Sequence, residues 1–142
     1  MRYLLDTNVI SELRKARTRA IDPAVSAWTD SVDAGDLFLS AITIMEIEKG
    51  IAQVARREVA QAARLREWFE TAVLTEFSDR ILPFETEAAR YCARLQVPDK
   101  RAANDAIIAA IAWQHDMILV TRNVKDFTGM GVQLLNPWEW AS

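Results

Sequence analysis

Residues 103–121 read ANDAIIAAIAWQHDMILVT, and this stretch decides the class of fold. Its first part is apolar on nearly every side at helical spacing, which is typical of a helix buried in the middle of a protein. Its second part, MILVT, is a short apolar run that suits a buried strand. A buried helix leading into a buried strand indicates an α/β protein. The stretch also raises a question, because a carboxylate, Asp105, stands at the head of the buried helix.

The rest of the chain repeats this alternation of strands and helices. Apolar runs with strand character occur at RYLLD, DLFLS, RILPF and VQLLN, and helical patterns lie between them. One helix is predicted from Thr43 through TIMEIEKGIAQVARR, and Pro83 confines the RILPF strand to an edge or an end of the sheet. The sequence therefore predicts one α/β domain over residues 1–142, with a mostly parallel central sheet covered by helices on both faces.

Composition excludes several classes of protein. The chain is 51% hydrophobic and 26% charged, which is the profile of an ordinary globular protein. A single cysteine excludes an internal disulfide, and a single histidine leaves a structural zinc site short of ligands. The N-terminal stretch MRYLLDTNVI has an acid inside its short apolar run, so it predicts neither a signal peptide nor a membrane span. We therefore expect a cytoplasmic protein that does not associate with membranes.

The charged residues are unevenly distributed along the chain. A net charge of −3 and a pI near 5.2 argue weakly against a nucleic-acid partner. However, residues 14–19 and residues 49–66 each sum to +4, which leaves the remainder at −11. One interpretation is that the two basic stretches are solvated helix faces. The other is an anionic groove with basic rims, in which Arg14, Lys15 and Lys49 would attract the phosphates of a substrate.

Four acids are predicted to meet at the carboxyl rim, by which we mean the edge of the sheet formed by the carboxyl ends of its parallel strands. Asp6 closes the first strand, and Asp126 lies just after MILVT. Glu46 falls in the first turn of the helix after DLFLS, and Asp105 opens the helix that returns to MILVT from the opposite edge. Ligands of parallel α/β proteins gather at this rim.

Each acid also has a structural explanation of its own. Asp6 suits a cap of the next helix, and Asp105 or its neighbour Asn104 suits the N-cap of the buried helix. Glu46 stands three residues after a threonine, which is the spacing of a capping box. Asp126 suits an Asx-turn. These explanations account for the acids singly, but not for their shared location.

The repulsion between the acids favours a functional interpretation. Two like charges about 4 Å apart repel by roughly 4 kcal/mol at an effective dielectric of about 20, whereas a whole domain is stable by only about 5–15 kcal/mol. An all-acid pocket therefore needs a cation. Oxygen ligands without cysteine or histidine select Mg²⁺ or Mn²⁺, and such an ion can activate water against a phosphodiester. On this interpretation Asp105 lies at the solvent-accessible end of a buried helix, where it can bind metal.

Short polar residues stand beside the acids in the sequence. They are suited to orienting carboxylates and bound water, although turn and cap chemistry explains them equally well. Arg122 is a candidate phosphate contact, with a surface salt bridge as the alternative. The polar neighbours are Thr7, Asn8, Asn104, Thr121 and Asn123.

Four sequence blocks, in order and over nearly the whole chain, carry a family resemblance: LLDTNVISEL, TIMEIEKGI, NDAIIAAIA and LVTRNVKDF with GVQLLNPW. With them the chain resembles the PIN-domain family, and in particular the VapC-type ribonuclease toxins of bacterial toxin–antitoxin pairs. The resemblance implies a three-layer α/β/α sandwich and Mg²⁺- or Mn²⁺-dependent endonucleolytic cleavage of RNA. By motif position, the acids of the family fall on Asp6, Glu46, Asp105 and Asp126, of which the last is the least uniform.

The resemblance also chooses between neighbouring acids and implies partners. The family block E-I-x-x-G aligns on Glu46 and Gly50, so Glu48 is set aside. Toxins of this kind form homodimers, and a cognate antitoxin inserts a segment across the acidic groove to give a larger assembly of both proteins. The expected partners are therefore an RNA substrate, an antitoxin and a second copy of the chain.

Other functions remain open at this point. A PIN-like scaffold that binds RNA or an antitoxin without cutting is the main alternative. A phosphatase of the haloacid dehalogenase kind also has a strand ending in an aspartate, but it needs a second aspartate where this chain has Asn8. A phospho-receiver domain shares an acidic pocket at the strand ends, but a convincing lysine after a later strand is missing here.

Overall fold

Five parallel strands form the centre of the protein, in the order β3-β2-β1-β4-β5. The structure is a computed structural model that describes residues 1–18 and 20–141. Every strand pairing in it is parallel, so the predicted parallel sheet is confirmed. The strand before Pro83 lies at an edge, as expected. The strands are β1 (Tyr3–Leu5), β2 (Leu37–Ser40), β3 (Ile81–Leu82), β4 (Ile118–Val120) and β5 (Leu134–Leu135).

Helices connect the strands and return the chain to the start of each one. The helix after β2 begins two residues before the predicted Thr43, because the side chain of Ser40 caps it. The α4 helix continues into a π-helical turn at Phe69–Val73. The helices are α1 (Thr7–Leu13), α2 (Pro23–Asp30), α3 (Ala41–Ala55), α4 (Val59–Trp68), α5 (Leu74–Glu76), α6 (Thr86–Leu95), α7 (Ala103–Gln114) and α8 (Val124–Phe127), and short 3₁₀ turns lie at Arg14–Arg17, Ala34–Asp36 and Pro137–Glu139.

The strands send alternate side chains into two separate cores, one on each face of the sheet. Leu5 and Leu39 pack with residues of α1 to α4 in one core, whereas Leu4 and Leu119 pack with α6 and α7 in the other. All four leucines are completely buried, and full burial of a leucine side chain contributes roughly 1.5–3 kcal/mol to stability. Helices therefore cover both faces, which confirms the three-layer α/β/α sandwich.

The α7 helix fills the second core, as its apolar sequence predicts. Residues Ile108 to Ala112 are almost completely inaccessible to solvent. Trp113, which we expect in the core from the same pattern, is instead 36% exposed and stacks on Tyr91 of α6 with 4.1 Å between ring centroids. A pattern that is apolar all round cannot show which side chain faces outward. Among the described residues, no helix is both long and apolar enough to cross a membrane.

Candidate functional site

Asp6 lies at the carboxyl rim, directly after β1, and is 5% exposed. Its Oδ1 atom accepts a hydrogen bond from the backbone N–H of Thr7 at 2.8 Å and so caps α1. Its Oδ2 atom accepts from Thr121 Oγ1 at 2.8 Å and from Asn8 Nδ2 at 3.2 Å. Burial raises the pKa of Asp6, the charge of Glu46 adds to the rise, and these hydrogen bonds oppose it. Asp6 is thus both a helix cap and a buried carboxylate held by three donors.

Glu46 is oriented by two other segments of the chain. The capping-box explanation of this residue is wrong, because Ser40 caps α3 by accepting from the backbone N–H of Thr43 at 3.2 Å. The Glu46 carboxylate instead accepts hydrogen bonds from Thr7 Oγ1 and from Asn104 Nδ2, the latter at 3.3 Å. Glu46 lies in the second turn of α3, not in the first. Its donors come from the starts of α1 and α7, so the three helices meet at this carboxylate.

Asp105 lies in the first turn of α7 and is partly buried. The N-cap position is Ala102, which has no capping side chain, so the explanation of Asp105 or Asn104 as the N-cap is wrong. The pKa of Asp105 is raised to about 6, first by burial and then by the negative charges of Asp6, Asp126 and Glu46. Three acids that are distant in sequence therefore lie close enough to Asp105 to disfavour its charge.

Asp126 is exposed and lies in α8, which replaces the turn predicted there. Its backbone carbonyl, together with that of Thr128, accepts from Nη2 of Arg101 at 3.3 and 2.7 Å respectively. The positive charge of Arg101 partly opposes the pKa rise of Asp105. Arg101 was not among the residues predicted from the sequence. It lies four residues before Asp105 and just before the start of α7, so its position in the sequence could have indicated that it lies at the same rim.

The five predicted polar neighbours all lie at this rim, and four of them contact a carboxylate through their side chains. Thr7 and Asn104 donate to Glu46, whereas Asn8 and Thr121 donate to Asp6. Asn123 acts through its backbone N–H, which donates to Thr121 Oγ1 at 3.0 Å. Thr121 is completely buried. The Thr121 hydroxyl therefore connects the backbone at Asn123, directly before α8, to the carboxylate of Asp6.

The predicted basic contacts differ in their surroundings. Arg122 is exposed beside the rim, and its guanidinium lies 5.0 Å from the centre of the Trp138 ring. Arg14 lies 5.9 Å from the centre of the Trp68 ring. Lys15 is ion-paired with Glu12 at 3.1 Å, which favours the structural interpretation for this lysine.

The remaining members of the two basic stretches are less informative. Lys49 is exposed on α3. Arg66 is paired with Glu48 at 2.6 Å, as expected for a solvated helix face. Arg19 and the side chain of Arg17 lie outside the described residues.

The ligand atoms of the four acids suit a metal ion, whereas the present spacing of their side chains does not. Within residues 1–18 and 20–141, no three acidic, histidine or cysteine side chains lie close enough together to hold one ion as they stand. The four acids supply oxygen ligands alone, which is the donor set of Mg²⁺ and Mn²⁺. The residues therefore fit a hard divalent cation by donor type and by charge, and side-chain movement is needed for them to close around it.

Comparisons with known proteins agree with the topology and identify the family of the chain. The PIN domain profile matches residues 3–130. The VapC ribonuclease Y4jK of Sinorhizobium fredii is 38% identical over 96% of this chain and 97% of its own length. The chain belongs to the PIN-domain family, in its VapC-type branch.

Solved structures extend the comparison to this PIN domain as a whole. The crystal structure of FitAcB from Neisseria gonorrhoeae contains a chain that superposes with a TM-score of 0.86 and 36% identity, covering 97% of this chain and 99% of the other. A chain of a toxin–antitoxin complex from Klebsiella pneumoniae superposes with a TM-score of 0.67 and 27% identity, covering 97% and 99%. The resemblance inferred from the four sequence blocks is thereby confirmed.

Proposed function

We propose that this PIN domain is a Mg²⁺- or Mn²⁺-dependent endoribonuclease toxin that hydrolyses phosphodiester bonds in RNA and is inhibited by a cognate antitoxin. The observation that carries the proposal is the convergence of acids from separate segments of the chain, because Thr7, next to Asp6, and Asn104, next to Asp105, both donate to Glu46. The relatedness to a VapC ribonuclease over nearly the full length supports the same conclusion.

Asp6, Glu46, Asp105 and Asp126 are the residues that would hold the ion. When bound, a divalent ion lowers the pKa of water and neutralises charge on the phosphate. The chain itself orients the carboxylates: Thr121 and Asn8 hold that of Asp6, and Thr7 and Asn104 hold that of Glu46. Outer partners of this kind tune metal affinity.

Single-stranded RNA is the favoured substrate class. Sequence-specific recognition of RNA targets unstacked loops and ends, since the deep major groove of an RNA duplex hides its bases from side chains. Arg122 and Arg14 flank the carboxylates, and both are exposed. We expect their positive charges to attract the phosphate backbone of the RNA, which the uncompensated carboxylates repel.

A groove of about 250 Å³ extends from Thr7 and Glu46 towards Trp68 and is suited to the antitoxin. Ile47, Ile51, Val54 and Leu65 make most of its lining apolar. Gly50 opens onto it, because an added Cβ there would meet no atom within 4 Å. A segment with an apolar face could lie along this groove and cover the carboxylates at its end, which would inhibit cleavage by blocking access.

Cleavage of a labelled single-stranded RNA tests the proposal. The protein should cut it in Mg²⁺ or Mn²⁺ and not in EDTA, and Asp6→Asn or Asp105→Asn should abolish cutting. Asp33→Asn, at an exposed aspartate with no capping role, is the matched control and should cut normally. If the RNA and the antitoxin bind but nothing is cut in either metal, the chain is instead a non-catalytic PIN-like binding module.

Inhibition by the antitoxin tests the groove separately. Gly50→Leu should raise the antitoxin concentration needed for half inhibition, because its side chain projects into the groove, and Gly50→Ala should change it much less. Equal inhibition of the wild-type protein and Gly50→Leu would place the antitoxin elsewhere.

A further inference from the structure

A cavity of about 470 Å³ adjoins the carboxylates on the β5 side of the carboxyl rim. It is formed where the segments after β4 and β5 face each other. Two of its side chains are cationic, two are acidic, two are amides and one is aliphatic, so it offers a ligand both charged or hydrogen-bonding groups and apolar surface. These seven residues are Arg122, Asn123, Val124, Lys125, Asp126, Asn136 and Glu139.

Arg122 is held in this cavity from two directions. Its guanidinium lies 5.0 Å from the centre of the Trp138 ring, and Trp138 in turn packs against the core of α1 to α4. Its backbone N–H donates to Asn8 Oδ1 at 3.1 Å, and Asn8 Nδ2 donates to Asp6 at 3.2 Å. An arginine backed by an aromatic ring offers the outer face of its planar guanidinium for stacking. The backbone of Arg122 is thus linked to Asp6 through Asn8, whereas Trp138 positions the guanidinium.

The charge of the cavity depends on the function proposed above. Arg122 and Lys125 balance Asp126 and Glu139 while all four are ionised. If Asp126 contributes its charge to a divalent ion, the remaining side chains have a net positive charge, which favours an anionic ligand. Asn136 also has a fixed amide, because its Oδ1 atom accepts from the backbone N–H of Trp138 at 3.0 Å. That bond leaves the two Nδ2 hydrogens as donors towards a ligand.

We propose that this cavity is the subsite for the nucleotide next to the scissile phosphate of a single-stranded RNA. The base stacks on the guanidinium of Arg122, which Trp138 supports from behind, and Lys125 contacts the phosphate. Unstacked RNA bases are bound on aromatic rings and on arginine planes in this way. The subsite rests on the proposed ribonuclease function, and it makes Arg122 and Trp138 determinants of the affinity for unstacked RNA beside the site of cleavage.

Binding of a short RNA measures the subsite without cleavage. The probe is a fluorescein-labelled single-stranded hexaribonucleotide in Mg²⁺, and every variant carries Glu46→Gln, which lies outside the cavity and prevents cutting. Arg122→Ala should weaken binding by roughly tenfold or more, because stacking of one base contributes about 1–3 kcal/mol. Lys125→Ala should instead make the salt dependence of binding shallower by about one phosphate contact, because Lys125 is the residue that contacts the phosphate. Arg90→Ala, at an exposed arginine of α6, is the matched control and should bind within about twofold of its parent.

Substitutions at Trp138 distinguish the support that its ring gives to stacking from the effect of the Arg122 charge alone. Trp138→Phe keeps an aromatic ring behind Arg122 and should retain most of the affinity, whereas Trp138→Leu should lose about as much as Arg122→Ala. Circular dichroism checks that each variant is folded. Should Trp138→Leu fail to fold, the comparison of Arg122→Ala with Arg90→Ala and with Trp138→Phe still decides the matter.

Crosslinking identifies the contact directly. A hexaribonucleotide carrying 4-thiouridine should crosslink on irradiation to residues within 122–142, which tandem mass spectrometry of the digested protein locates, and Arg122→Ala should reduce the yield. Crosslinks confined to residues outside this segment, or equal affinities for Arg122→Ala and Arg90→Ala, would overturn the subsite while leaving the nuclease intact. Conversely, a wild-type protein that binds RNA through Arg122 but cuts nothing would overturn the nuclease and keep the subsite.

Discussion

Replacement of Asp105 by asparagine should stabilise the metal-free protein at neutral pH. The pKa of this carboxyl is raised to about 6, from an ordinary value of 3.8, so the folded protein holds its proton more tightly than the unfolded chain does. Stability from this group is therefore greatest below the unfolded pKa and is lost as the pH rises through 3.8 to about 6. Above that range the ionised carboxylate is a net cost to the fold.

The size of that cost follows from the shift. A difference of about 2 pKa units corresponds to roughly 3 kcal/mol, and solvent screening of this partly exposed side chain reduces it to about 1–2 kcal/mol. Asp105→Asn removes the charge and nearly preserves the shape of the side chain. Its free energy of unfolding in EDTA should exceed that of the wild-type protein by about 1–2 kcal/mol at pH 7.5 and by much less at pH 4.5, where the wild-type carboxyl is mostly protonated.

Urea unfolding at the two pH values measures this difference. Asp33→Asn, which removes an exposed charge, should change stability by less than about 0.5 kcal/mol at both. If Asp105→Asn is less stable than the wild-type protein at pH 7.5, the reasoning is refuted, because the carboxylate must then make a favourable contact and not a repulsive one. Added Mg²⁺ or Mn²⁺ should stabilise the wild-type protein more than Asp105→Asn, since the variant lacks one ligand of the proposed site.

Three further substitutions test other parts of the structure. Gly50→Ala should raise the free energy of unfolding by about 0.5–1 kcal/mol in urea, because alanine favours the helix and its Cβ meets no atom within 4 Å; a loss of stability would show that the glycine is packed. Thr121→Val should lower the free energy of unfolding by about 1–3 kcal/mol and raise the pKa of Asp6 further, since the buried hydroxyl both donates to Asp6 and accepts from the Asn123 backbone. Carboxyl NMR titration measures this pKa, and an unchanged value would contradict the hydrogen bond. Gly131→Ala should lower the midpoint of thermal unfolding, because φ at this residue is +76° and the added Cβ would clash with the Tyr91 hydroxyl. Adding Tyr91→Phe should recover part of the lost thermal stability, and no recovery would place the strain in the backbone alone.

The sheet and the location of the acids could be predicted because both depend on chain order. A strand that ends in Asp6 and another that ends just before the Asp126 loop must, when parallel, place both acids at the same rim. The start of α3 could not be placed as well, since Ser40 and Thr43 are both good capping residues, and only the hydrogen bond from the Thr43 backbone N–H to the Ser40 hydroxyl shows which of them caps the helix. Trp113 was misplaced because an all-apolar helix gives no sign of its exposed side.

Side-chain partners at the rim were beyond prediction for a different reason. Thr7 meets Glu46 across 39 positions of sequence, and Thr121 meets Asp6 across 115. No local pattern specifies such pairs, although the sequence does place polar residues next to Asp6 and Asp105. The pairs matter because Asp6 and Glu46 each have a donor that does not move with their own helix. Carboxylates held in this way have few ways to move apart, so burial and the charges of the other acids keep the pKa of Asp105 raised in the folded state. A divalent cation would relieve the repulsion among the acids, which links the packing of four hydroxyl and amide side chains to the affinity of the site for metal.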